Sequence, residues 1–406
     1  MTIRQAVILS GGLGTRLRPL TNHLPKPMAP VLNRPFLHHL LDQLHKQGIT
    51  DVVLLTGYLK EVIRRHFGEK SPQGLNLTYG EGPTEWNTAK RLNEAKGMFD
   101  KTFLLLYGDN YAPFSLQKLW QTHQEGWDIT LSLSPKSPGN IKIGQDGQVQ
   151  SYAESRSHQH QYVEIGYMIV NRKVLDHQPD PDGSFSRTLE ALGNGGTLGS
   201  VVAPMGYHSI SDPERLKLTE EFLRPKKIIL VDRDGVINRK APRGEYITRW
   251  EDFEFLEDNI QGLQYLANQG YQFVLISNQA GIGRKVMTRE QLDHIHHNMV
   301  DVLKKRGIDI LDIFVCPHHW EDDCSCRKPK PGMLYKAAQK FQLKLDDTFF
   351  IGDDPRDCQA AYQAQCKSIY IGDQADTDIL DDVEKPSYVF SNIFDGRTIL
   401  SQNLGL

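Results

Sequence analysis

Cysteine is scarce in this chain, with five among 406 residues. That excludes a disulfide-built scaffold and fits a reducing compartment. Long apolar runs are missing as well. None approaches the roughly 20 residues needed to cross a bilayer, and the N-terminus carries no signal pattern. We therefore expect a cytoplasmic protein with no membrane partner. Charge of one sign is also lacking: 47 Lys and Arg face 50 Asp and Glu, a net of −3. Without a basic stripe, no nucleic-acid partner is expected. Internal repeats and low-complexity segments are absent too.

What remains is enough chain for two domains with full cores. Short apolar strands alternate with amphipathic helices. In PFLHHLLDQLHKQG, for instance, Phe36, Leu37, Leu40, Leu41 and Leu44 share one helical face, which reads as core packing. The expected fold class is α/β, with two domains, each a mainly parallel sheet with flanking helices. The boundary falls near Phe222–Lys226, where Pro225 and two lysines interrupt a helical stretch. The expected domains are 1–224 and 225–406. HIHHN at His294–Asn298 reads as the surface of a polar helix.

The densest chemistry lies in the second half. KIILVDRDGVIN is an apolar strand ending in Asp232 and Asp234. Carboxylates just past the carboxyl end of a parallel strand sit where open α/β sheets place their chemistry. Alternation points both roughly one way, so Asp232 can act as nucleophile and Asp234 as proton donor and acceptor. QFVLISNQAGIGR brings Ser277 and Asn278 to a second strand end, with Arg284 further along as another expected substrate-binding residue. A hydroxyl and an amide there can hydrogen-bond phosphate oxygens without adding charge. CRKPKPGM sets Arg327 and Lys328 ahead of a helix starting near Gly332, and a fixed cation offsets the charge of a phosphoryl group under attack. TFFIGDDPRDCQAA adds Asp353, Asp354 and Asp357, and extra carboxylate oxygens suit Mg²⁺. Cys316, His318, Cys324 and Cys326 follow a C-x-H-x5-C-x-C spacing. That spacing suits a closed, structural Zn²⁺ site pinning the Arg327–Lys328 loop. Free thiols or a disulfide are the alternatives, and His319 is the nearest rival ligand.

These motifs, in this order, resemble those of the haloacid dehalogenase (HAD) superfamily of phosphatases over roughly residues 225–395. The resemblance implies that Asp232 becomes an aspartyl phosphate, and that Asp234 protonates the leaving oxygen and then activates water. It implies that Ser277 and Lys328 bind the phosphoryl group, and that Asp232, the Asp234 carbonyl and Asp353 hold Mg²⁺. With the zinc loop, the set is similar to D-glycero-D-manno-heptose 1,7-bisphosphate 7-phosphatases and histidinol phosphatases. One position departs: Asp354 stands where the heptose enzymes are expected to carry a basic residue.

In the first half, a strand at residues 3–9 runs into GGLGTRLRPLT and then PKPMAP. Gly11, Gly12 and Gly14 let backbone N–H groups approach a phosphate chain, and Arg16 and Lys26 add positive charge. The glycine spacing is neither the dinucleotide fingerprint nor the Walker pattern. The extended string resembles the sugar-1-phosphate nucleotidyltransferases over residues 1–222, most nearly the heptose 1-phosphate guanylyltransferases. A Rossmann-like domain is then expected ahead of the HAD-like one. The resemblance implies nucleotide binding by Gly11, Gly12, Gly14, Thr15, Arg16 and Thr88, catalysis by Lys26, Mg²⁺ at Asp109 and sugar binding at Glu154. Ala89 adjoins Thr88 at the base. Three places depart from it: Glu85–Asn87 precede Thr88, Ser155 replaces a lysine, and Ser209 stands in place of a second metal aspartate, with Asp212 nearby.

Together these readings describe a fused pair of sugar-activating enzymes. A phosphatase removes the distal phosphate of a sugar bisphosphate, expected to be a heptose 1,7-bisphosphate. A transferase then joins the 1-phosphate to a nucleoside triphosphate, expected to be GTP. The partners are a sugar phosphate and the nucleotide, the cofactors Mg²⁺ and structural Zn²⁺, and a homo-oligomer is compatible with the chain. Two alternatives stay open. The first half could bind ligand without catalysis, or both activities could serve another sugar or CTP.

Overall fold

The computed structural model describes residues 3–242 and 244–403. Contacts divide the chain into two compact units, Met1–Arg224 and Pro225–Leu406.

In the first unit, four strands pair in parallel: Thr102–Tyr107, Gln5–Ser10, Asp51–Thr56 and Asn76–Glu81. Tyr162–Asn171 adds antiparallel to the Thr102–Tyr107 edge and carries the sheet on to nine strands. Thr102–Tyr107, Gln5–Ser10 and Asp51–Thr56 are buried on both faces, which explains their nearly continuous apolar runs, whereas Asn76–Glu81 at the edge is partly exposed and more polar. Side chains alternate between two cores. Ala6, Ile8, Leu54, Leu104 and Leu106 pack in one, with Phe36, Leu37, Leu40, Leu41 and Leu44 of the helix Phe36–Lys46. Val7, Val53, Leu55, Phe103 and Leu105 pack in the other. The carboxyl ends of Gln5–Ser10 and Thr102–Tyr107 deliver the Gly11 loop and Asp109 to one edge.

The second unit is a six-stranded, all-parallel sheet. Its order is Ile310–Cys316, Gln272–Asn278, Ile228–Val231, Phe349–Gly352, Lys367–Ile371, Tyr388–Phe390. The first strand in sequence is thus central, with the second on one side and the fourth on the other. Strand order reverses there, so the loops beyond the two central strands part and leave a crevice at their carboxyl ends. Asp232, Ser277 and Asp353 all lie at that edge. No helix among the described residues is long and apolar enough to cross a membrane.

Candidate active sites

In the second unit, Asp232 follows its strand directly and donates its N–H to the Ile351 carbonyl at 2.8 Å, fixing it beside the Phe349–Gly352 strand. Lys328 is 3% exposed, with its ammonium 2.9 Å from Asp232 Oδ1 and 2.7 Å from Asp357 Oδ1. It also donates to the Ile276 carbonyl at 3.0 Å. Burial works against that charge, yet the two aspartates hold it above the ordinary lysine range. Burial pushes Asp232 well above the usual carboxylate range, Lys328 opposes, and Asp357, Asp353 and Asp234 add repulsion. Burial, then Asp357, raises Asp353 to about 6 against the pull of Lys240 and Lys328. The Lys240 ammonium lies 2.6 Å from Asp353. Excess buried negative charge of this kind calls for a cation.

The oxygens of Asp232, Asp353 and Asp357 lie within 4.8 Å of one another. Gly235 keeps the cradle open, since a Cβ there would come 2.0 Å from Asp353 Oδ2. Hard oxygen donors in a buried pocket fit Mg²⁺. The carboxylate of Asp234 lies apart from this cluster. Arg233 holds both its oxygens at 2.9 Å, Asn238 donates at 3.0 Å and Gln279 at 2.8 Å. Burial opposes its charge, but Arg233, Asn238 and Gln279 outweigh that and keep its carboxyl below the usual range. As a metal ligand the Asp234 side chain is therefore ruled out in this arrangement, and only its carbonyl stays a candidate.

Ser277 is buried, and its hydroxyl accepts from Gln279 at 2.7 Å. The Asn278 amide accepts from the Lys328 N–H and donates to the Lys328 carbonyl, both at 3.1 Å. The amide thus ties the end of its strand to the Lys328 backbone, with one N–H left over. Arg327 has a buried Nη1 without a protein partner among the described residues, a donor suited to a phosphate oxygen. Arg284 is exposed and lies over the rings of Tyr246 and Trp320.

The four soft donors also converge. Cys316 Sγ lies 3.6 Å from both His318 Nδ1 and Cys324 Sγ, and Cys326 Sγ lies 3.2 and 3.6 Å from the same two atoms. A zinc tetrahedron with bonds of about 2.3 Å to sulfur and about 2.0 Å to nitrogen has edges of roughly 3.5–3.8 Å. The donors fit it. The cysteines are free, and the His319 ring turns to the Glu321 N–H and stacks on Trp320 instead.

In the first unit, Gly11, Gly12, Gly14, Thr15, Arg16, Lys26, Thr88 and Asp109 line one cavity of about 520 Å³. Gly14 has φ 63°, a left-handed turn that glycine takes without strain. The Lys26 ammonium pairs with the Asp109 carboxylate. Thr88 accepts from the Phe185 N–H at 2.8 Å, tying two helix starts together. One carboxylate facing a phosphate-sized loop fits Mg²⁺, which usually completes its shell with substrate phosphates. A second cavity of about 400 Å³ holds Glu154, Arg156 and Glu164, and Ser184 lines both. Burial raises the Glu164 carboxyl to about 7. Ser209 is buried, bonded to Ser211 at 3.2 Å and Arg215 at 3.3 Å. Asp212 caps the helix Pro213–Leu223 by accepting from Arg215 N–H at 2.9 Å.

A family model described as nucleotidyl transferase matches residues 5–190, and one described as polynucleotide kinase 3 phosphatase matches residues 227–390. The D-glycero-alpha-D-manno-heptose-1,7-bisphosphate 7-phosphatase of Photorhabdus laumondii is 37% identical over 145 residues, 34% of this chain and 78% of its own length. The D-glycero-beta-D-manno-heptose-1,7-bisphosphate 7-phosphatase of Pasteurella multocida is 35% identical over 176 residues, 42% of this chain and 94% of its own length. The chain belongs to the heptose-1,7-bisphosphate 7-phosphatase family. That membership lies in its second half; the first is a nucleotidyl transferase domain, so the fusion carries a phosphomonoesterase and a nucleotidyltransferase. The UTP-bound UGPase from Acinetobacter baumannii shares the fold of the first half, at 15% identity, TM-score 0.50, covering 55% of this chain and 95% of its own.

Several residues of this heptose-phosphatase relative escaped the sequence reading. Arg233 is 1% exposed between Asp232 and Asp234 and meets His296 Nε2 at 3.1 Å. His296 is buried, not on the surface as expected, and burial, then Arg233, lowers it to about 3. Its spacing with Leu292, Ile295, Met299 and Leu303, all buried in the helix Arg289–Lys305, was the available signal. Asp357 was read only as an extra carboxylate near the metal; its pairing with Lys328 was not foreseen, because that place arises from the turn opening the helix Pro355–Gln363. In the transferase half, Arg91 is buried and donates to the carbonyls of Thr56 at 2.8 Å, Pro83 at 2.6 Å and Gly11 at 3.4 Å. A Cβ on Gly11 would come 2.4 Å from its guanidinium.

Proposed function

We propose that the second half removes the 7-phosphate of a D-glycero-D-manno-heptose 1,7-bisphosphate, and that the first half couples the resulting 1-phosphate to GTP. The observation carrying the first step is Lys328, buried between Asp232 and Asp357 at the switch point of the sheet. Asp232 attacks the phosphorus and becomes an aspartyl phosphate. Ser277 and Lys328 hold the equatorial oxygens, and Arg327 adds its unpartnered donor. Asp234, steered by Arg233 and Gln279, protonates the leaving oxygen and then takes a proton from the water that frees Asp232. Mg²⁺ at Asp232 and Asp353 would supply charge neutralisation for the phosphoryl group. Zn²⁺ at Cys316, His318, Cys324 and Cys326 would hold the loop that carries Lys328.

In the first half, the Gly11–Gly14 loop cradles the triphosphate, Thr88 adjoins the base, and Arg16 and Lys26 offset the departing pyrophosphate. Mg²⁺ at Asp109 would neutralise α-phosphate charge. The heptose phosphate enters beside Glu154 and attacks in line, a reaction needing position and charge neutralisation above all. Dephosphorylation comes first, since the anomeric phosphate must survive into the product. The domains proposed are 1–224 and 225–406, acting in the cytoplasm.

Ser209 favours a second reading, in which the first half binds ligand without turnover, because this buried hydroxyl brings no charge to a metal. Incubating the chain with heptose 1,7-bisphosphate, GTP and Mg²⁺ decides between them. Phosphate followed by pyrophosphate is expected. Phosphate alone, with each of the four common nucleotides, leaves the binding role, and no phosphate refutes the main reading.

A further inference from the structure

Three loops leave the carboxyl ends of three neighbouring strands, Ile228–Val231, Gln272–Asn278 and Ile310–Cys316. They contribute Tyr246, Arg284 and Trp320 to one stack. The Arg284 guanidinium lies 5.6 Å from the Tyr246 ring centre and 5.1 Å from that of Trp320, and Nη1 donates to the Gly244 carbonyl at 2.9 Å. Trp320 itself is 53% exposed and braced by the His319 ring at 3.9 Å. The loops touch closely. Gly283 N–H donates to the Pro317 carbonyl at 2.8 Å, and a Cβ on Gly283 would come 2.6 Å from His319 N.

No carboxylate among the described residues pairs with Arg284. Its charge is held between two rings and one carbonyl, on the sheet edge that carries Asp232 and Ser277. Aromatic faces fix a guanidinium without neutralising it, and most of its five donors stay open to an anion. A bisphosphate places one phosphate at Asp232 and must seat the other elsewhere.

We propose that Trp320 is a positioning residue that sets Arg284 to receive the phosphate that is not hydrolysed. This rests on the bisphosphate reading above. The soft-donor loop, which carries Trp320 between His318 and Cys324, thereby shapes substrate choice as well as delivering Lys328.

The test is inhibition of p-nitrophenyl phosphate hydrolysis by the full chain, using heptose 1,7-bisphosphate and inorganic phosphate as separate inhibitors. A competing bisphosphate registers whether or not it is turned over. Trp320→Ala and Arg284→Ala should each weaken inhibition by the bisphosphate about fivefold, with inhibition by phosphate unchanged. The double variant should lose no more than either single one, because both remove the same contact. Trp320→Phe, which keeps a ring, should retain the parent value. A Trp320→Ala value within twofold of the parent, additive losses, or equal weakening by phosphate would each overturn the proposal. If the parent is inhibited by the bisphosphate yet releases no phosphate from it, the substrate reading fails while this role stands. A parent that the bisphosphate does not inhibit refutes both.

Discussion

Asp353→Asn should make the magnesium-free protein more stable while abolishing phosphatase activity. Burial and Asp357 raise the Asp353 carboxyl to about 6, against about 3.9 in an unfolded chain. Two pKa units correspond to about 3 kcal/mol set against the fold at pH 7. Asparagine removes that charge. The pull of the Lys240 ammonium, whose side chain is 62% exposed, is already contained in that shifted value. The net gain is therefore about 3 kcal/mol, or roughly 6–12 °C in Tm for a half of this size. The pH dependence has a definite sign. With a folded pKa above the unfolded one, the group's contribution is fully present below about pH 4 and is lost as pH rises through about 6. The two proteins should therefore melt alike near pH 4 and diverge towards pH 7. Adding Mg²⁺ at pH 7 should stabilise the parent and leave the variant unmoved. Thermal melts of the full chain, following the transition that Mg²⁺ shifts, provide the measurement. A variant that melts below the parent at pH 7, or a gap that persists unchanged at pH 4, would refute the argument.

Asp232→Asn should lower phosphate release by at least about a thousandfold while leaving GTP affinity unchanged, measured by phosphate release and nucleotide titration; near-parent turnover contradicts the nucleophile assignment. Cys324→Ser should cut zinc content and slow the phosphatase, because the loop holding Lys328 loses a ligand; metal analysis showing unchanged zinc defeats that. Asp109→Ala should remove pyrophosphate release by about a hundredfold or more, with phosphatase rate intact, and an unaffected transferase rate would dismiss Asp109 as the metal ligand.

Most of both folds was legible because parallel strands buried on two faces announce themselves as apolar runs, and motif residues follow directly at their ends. Asp232, Ser277 and Asp353 needed only that rule. Asp109 and the Gly11–Gly14 loop needed it too. What escaped was set by packing between segments distant in sequence. Nothing in DRD marks Arg233 as buried, yet it lies against Asp234 and a His296 from another helix. Asn278 reads as a phosphate ligand at its strand end; its bonds to the Lys328 backbone, fifty residues away, were not legible. Alternation places the Asp234 carboxylate with that of Asp232, but Arg233, Asn238 and Gln279 bind it outside the acidic cluster.

Arg91 has a consequence for motion in the transferase half. Thr56, Pro83 and Gly11 belong to three separate stretches, and one guanidinium bonds to all of them. Displacing the glycine turn therefore costs a bond of the same guanidinium that holds the other two stretches, and Gly11, Thr84 and Arg91 all line the one cavity.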